Sequence, residues 1–85
     1  MLVREERIKV VTYAGYKGEE RPMSLIIHGK RIKVVNMWES SVEEDIISRA
    51  RKRSFLVNGS DGVLYRVYYY EDRGEWSGKA LYKTK

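Results

Sequence analysis

Eighty-five residues with no cysteine and one histidine make a single small domain. It lacks the disulfides and Cys/His metal clusters that often stabilise chains of this size, so packing, charge arrangement or association must serve instead. Seventeen basic against twelve acidic residues leave a net charge of +5, which suits a polyanionic partner and is also what a charge-rich surface of a soluble domain displays.

Residues 1–13 are broken by Arg4, Glu5, Glu6, Arg7 and Lys9 and so lack the apolar stretch of a secretory signal. Apolar runs elsewhere, such as Leu25-Ile26-Ile27, are far short of a membrane span. A cytoplasmic protein with no membrane partner is expected. Charged residues make up 34 % of the chain, while Gln is absent and Asn occurs only at positions 36 and 58. That balance is the composition of heat-adapted proteins.

Arg7–Tyr13 is rich in β-branched residues, with Ile8 and Val10 on one face, and reads as a strand. The stretch 14–21 has two glycines and no periodicity, so a mobile loop is expected there. Pro22 then suits the start of a strand. Met23–His28 and Lys30–Trp38 alternate in hydrophobicity, and His28-Gly29 or Gly29-Lys30 can supply the positive φ of a tight primed turn, the signature of a β-hairpin.

The period then changes. Val42, Ile46, Ile47 and Ala50 fall on one helical face, and Ser41 and Glu44 have capping-box spacing. Acidic residues come first (Glu43, Glu44, Asp45) and basic ones last (Arg49, Arg51, Lys52, Arg53), the order that complements a helix dipole. The spacing predicts a helix over 41–52. Ser54–Val57, the turn-rich Asn58–Gly62, Val63–Tyr70, a turn at Glu71–Gly74 and Trp76–Lys83 complete the chain as further strands, with Gly78 marking a bulge or bend.

The expected architecture is α+β, mainly antiparallel, in the order β-β-β-α-β-β-β. It forms a curled sheet or partly open small barrel with one short helix, over residues 1–85 as one domain. The expected core is Ile8, Val10, Leu25, Ile27, Ile32, Val34, Trp38, Ile46, Ile47, Phe55, Val57, Val67 and Trp76.

The hairpin LIIHGKRIKVVNMWE, Leu25 to Glu39, resembles the "hydrophobic–x–Gly-Lys/Arg–hydrophobic–x–Val…Trp" hairpin of a family of small bacterial and archaeal proteins of unknown function. The later positions Phe55, Asp61-Gly62, Tyr65 and Gly74-Glu75-Trp76 resemble that family's second half. The likeness covers about residues 22–83, and this chain carries a longer segment, Val42 to Lys52, between the halves. It implies a compact β fold and no particular activity.

Catalysis has little to draw on. His28 is the lone imidazole and sits at a predicted turn, there is no cysteine, and no serine lies in a G-x-S-x-G elbow. Phosphate-loop and calcium-loop motifs are absent, so no enzyme activity, cofactor or metal is expected. What remains is basic. Arg51, Lys52 and Arg53 end the predicted helix, Lys30, Arg31 and Lys33 cluster at the first hairpin, and Tyr68 and Tyr70 share a strand face with Arg66. These point to sequence-tolerant DNA or RNA contact, with cations on phosphates and tyrosines under bases. The alternative is a protein-binding or self-associating domain built on open sheet edges and a surplus of aromatics.

Overall fold

The computed structural model describes residues 4–16 and 19–83. Six antiparallel strands follow one another around a closed barrel: β1 (Glu6–Tyr16), β2 (Glu19–Ile27), β3 (Lys30–Glu44), β4 (Arg51–Gly59), β5 (Val63–Tyr70) and β6 (Glu75–Lys83). Every strand lies beside its sequence neighbour, and β6 returns to β1 through Glu6↔Gly78, Arg7↔Ser77 and Ile8↔Trp76. Alternation along each strand sends one set of side chains inward. Ile8, Leu25, Ile27, Ile32, Phe55, Val57, Tyr65 and Val67 meet there, with Val10, Val34, Met37, Tyr69 and Trp76 packed against them. Trp76 ties two strands of this core together, its ring 5.8 Å from Phe55 and 4.7 Å from Tyr69.

The β2–β3 connection is the two-residue turn expected from the sequence. His28 (φ 51°) and Gly29 (φ 78°) are both left-handed, as a primed hairpin turn requires. The stretch 14–21 is not the loop expected. β1 runs on to Tyr16 and β2 begins at Glu19, because antiparallel pairing such as Tyr13↔Arg21 and Tyr16↔Glu19 continues past the last strongly apolar residue.

The predicted helix over 41–52 does not exist, and the fold is all-β among the described residues. β3 continues to Glu44 and β4 starts at Arg51, with Ser41↔Ser54, Val42↔Arg53, Glu43↔Lys52 and Glu44↔Arg51 as cross-strand partners. The acidic-then-basic order thus places opposite charges across a hairpin, where they also attract. Ser41 is no N-cap; its Oγ lies 2.7 Å from Ser54 Oγ. The turn is set by Asp45, whose Oδ1 accepts from the N–H groups of Ile47 (2.9 Å) and Ser48 (3.3 Å). Its backbone N–H donates to Ala50 O, and its carbonyl accepts from Arg49 N. Arg49 closes the loop at φ 62°. With the helix gone, Ile46 and Ile47 leave the expected core and stand 88 % and 95 % exposed.

Trp38 also leaves the core, for a different reason. The β3–β4 register slips between Val34 and Asn36 and again between Met37 and Glu39. Each slip is a bulge that adds one unpaired residue, and the extra residues, Val35 and Trp38, are exposed. Met23 is the extra residue where β2 slips against β1, and Leu81 where β6 slips against β5; both are exposed too. Gly78 is therefore not the bulge. Its place is at the β1 seam, where an added Cβ would sit 3.1 Å from Ile8 Cδ1.

Candidate nucleic-acid interface

Because Phe55, Val57, Tyr65 and Val67 point inward, their neighbours point out. Lys52 and Ser54 on β4 register with Tyr70 and Tyr68 on β5. Tyr68 registers in turn with Ser77 on β6, and Arg66 with Lys79. Ser41 on β3 extends the row through Ser54. Three serines in one row make a low floor, and Ser54 and Ser77 are nearly covered at 3 % and 7 % exposure. A shallow depression of about 410 Å³ lies over Ser41 and Ser54, bounded by Arg66, Tyr68, Lys79 and Leu81, with Glu43 at one side.

Aromatic and cationic groups are already stacked on this face. Lys52 Nζ sits 4.7 Å over the Tyr68 ring and 5.9 Å from that of Tyr70. The Arg73 guanidinium lies 4.4 Å from the centre of the Tyr70 ring. The two tyrosine rings are 6.4 Å apart and tilted by 39°. Glu5 anchors the edge, accepting hydrogen bonds from Tyr70 OH and, at 2.5 Å, from Ser77 Oγ. Burial pushes the Glu5 carboxyl up, but those hydrogen bonds and the charges of Lys52 and Lys79 outweigh it and hold it below its ordinary value. The Tyr70 phenol is pushed up by burial and by its bond to the Glu5 carboxylate, against smaller opposing effects of Ser77 and Arg73.

Of the residues singled out in the sequence, Lys52, Tyr68 and Tyr70 come together here. Arg51 and Arg53 do not join them. They turn to the opposite side of β4, each 4.0 Å from Glu71, and the Arg53 guanidinium lies 5.9 Å from the Phe55 ring. Lys30, Arg31 and Lys33 begin β3, whereas Lys52 faces Glu43 near its end, a separation of roughly 30 Å along the strand. The two basic clusters therefore do not converge. Arg66 and Lys79, rather than those cations, share this face with Lys52. The R-x-Y-x-Y alternation of β5 revealed its own face, but only cross-strand register brings Ser41, Ser54, Ser77 and Lys79 to it.

Elsewhere, His28 Nε2 lies 3.3 Å from Glu6 Oε1 on the surface. Among the described residues no cluster of His, Asp or Glu is arranged to hold a metal, and no helix is long and apolar enough to cross a membrane. No family model, curated protein or solved structure matches this chain.

Proposed function

We propose that this domain is a non-catalytic binding module that takes single-stranded nucleic acid on the outer face of β4, β5 and β6. The observation that carries the reading is the Lys52–Tyr68–Tyr70 stack, with Arg66 and Lys79 paired on the same face. Tyrosines offer π-faces to any base, and the surrounding cations follow phosphates without reading sequence. Tyr68 and Tyr70 are two residues apart, about 6.7 Å along the strand. That is roughly twice the rise per nucleotide of a duplex strand, so the face suits an extended single strand whose bases are unstacked. A base arriving over Tyr68 displaces the Lys52 ammonium from the ring, freeing it to meet the phosphate.

The test is fluorescence anisotropy with short single-stranded DNA and RNA at several salt concentrations. Contacts from Lys52, Arg66 and Lys79 predict a log–log salt slope near −2, about −0.7 for each phosphate. Lys79→Ala flattens it by about 0.7, and Tyr68→Ala weakens binding roughly 5- to 150-fold. Replacing Lys30, Arg31 and Lys33 together with Ala leaves the slope nearly unchanged, because they lie at the far end of β3. Absence of binding at low salt, or binding indifferent to Tyr68 and Lys79, refutes the proposal.

A further inference from the structure

Two unsatisfied surfaces of the barrel complement each other. The first is the β3–β4 hairpin tip. Ile46 and Ile47 are almost wholly exposed, yet the turn beneath them is fixed by the Asp45 carboxylate and by Ser48 Oγ, which accepts from Ala50 N. The acidic arm behind the tip also has an edge open among the described residues, because β2 stops pairing with β3 at Ser24↔Lys33, while β3 runs on to Glu44.

The second surface is the seam between β6 and β1. Pairing there ends at Ile8↔Trp76, while β1 continues to Tyr16, so its edge beyond Ile8 is open among the described residues. A groove of about 810 Å³ lies along this seam, with Ile8, Val10, Ile26 and Trp76 supplying apolar walls. Lys9, which makes no ion pair among the described residues, lines one side, and Glu75, held by Arg7 at 3.4 Å and Arg73 at 3.6 Å, lines the other.

We infer that the Ile46–Ile47 tip of one copy of this chain seats in the β6–β1 groove of a second copy, with its acidic β3 edge laid along the open edge of β1. Charge sets the orientation. Glu43, Glu44 and Asp45 meet the basic β1 wall at Lys9. Backbone pairing between these two edges supplies hydrogen bonds, and the two isoleucines supply the apolar anchor. A chain cannot fill its own groove, because the β3–β4 hairpin and the β6–β1 seam lie on opposite sides of the six-strand ring. For the same reason the contact is head-to-tail, and association proceeds past the dimer.

Sedimentation velocity over a concentration series up to about 1 mM tests this. The wild-type chain shows species growing beyond two copies. Ile46→Asp/Ile47→Asp lacks a tip and Lys9→Glu/Ile26→Glu lacks a groove, and each weakens self-association about 100-fold or more. Mixed together, the two variants form a one-to-one complex, since each retains the half that the other lost. Circular dichroism checks that both are folded. If the groove variant does not fold, Lys9→Glu alone takes its place, with a loss of roughly ten-fold. A wild-type chain that stays monomeric, a tip variant that associates normally, or folded variants that form no complex would each overturn the inference.

Discussion

Replacing Gly59 with alanine tests how tightly the far end of the barrel is closed. Gly59 ends β4, and an added Cβ would stand 2.6 Å from Asp61 Oδ1, 2.8 Å from Ile32 Cγ2 and 3.0 Å from Tyr65 Cε2. None of the three yields readily. Ile32 and Tyr65 are buried at 4 % and 5 % exposure, and the Asp61 carboxylate is held twice, accepting from Val63 N–H at 3.2 Å and from Tyr65 OH at 2.5 Å. Overpacking alone costs about 1–3 kcal/mol. Displacing the carboxylate also forfeits part of a charge-assisted hydrogen bond whose removal costs about 1.5–3 kcal/mol. A total near 2–4 kcal/mol is expected, a large share of the roughly 4–13 kcal/mol that holds a domain of this size.

Urea titration measures that loss directly, and thermal melting reads it as a Tm lower by about 10–25 °C. Tyr65→Phe keeps the ring and removes only the bond to Asp61, so it should fall by about 1.5–3 kcal/mol. The double variant should lose less than the sum of the two, because both act through Asp61. A Gly59→Ala protein within about 0.5 kcal/mol of wild type would refute this account of the turn.

The hairpin reading of 41–53 predicts that Ile46→Ala and Ile47→Ala each change stability by less than about 0.5 kcal/mol in urea titration of the monomer at low concentration. Phe55→Ala, by contrast, empties a site only 2 % exposed and should cost about 3–5 kcal/mol. Alkaline titration followed by tyrosine absorbance should show Tyr65 and Tyr70 ionising late. Burial and the Asp61 carboxylate raise the Tyr65 phenol, and burial and Glu5 raise that of Tyr70. Both neutral phenols are favoured by folding, so their contribution is complete below pH ~10 and is lost as the pH rises through their folded values. Glu5 works the other way: its depressed carboxyl stabilises the fold above pH ~4.3, and that support fades as the pH falls through its folded value. Tyr65→Phe should remove one of the late-titrating phenols, and an unchanged late phase would count against the assignment.

Much of the barrel was legible because strands and turns are local. The alternation of Leu25, Ile27, Ile32 and Val34 around His28-Gly29 specified the β2–β3 hairpin, and Val63–Tyr70 is a strand over the expected residues. The segment 41–52 was misread because acidic residues followed by basic ones satisfy a helix dipole and a cross-strand ladder alike. Val42, Ile46, Ile47 and Ala50 match a helical face, but that face had nothing to cover once the six strands closed on one another. The bulges at Met23, Val35, Trp38 and Leu81 escaped for a related reason. A bulge is a mismatch between two strands, and adjacent apolar pairs such as Val34-Val35 and Met37-Trp38 do not by themselves say which member is left unpaired. The candidate face was half visible: Tyr68, Tyr70 and Arg66 lie on one strand, whereas Lys52, Lys79 and the three serines join them only through pairing.

The seam between β1 and β6 also has a bearing on how the chain reaches this shape. Every other strand pair joins sequence neighbours through a hairpin, while Glu6↔Gly78 and its two neighbouring pairs join the first strand to the last. Such distant partners carry the greatest loop-closure entropy and gain little until the rest is in place. The meander from β1 to β6 is therefore expected to form first, and the ring to shut last. In the native state the same three pairs should be the first to part, so amide exchange should be faster at Arg7 and Ser77 than at Val57 and Val67. Equal protection at both places would mean that the barrel opens only as a whole.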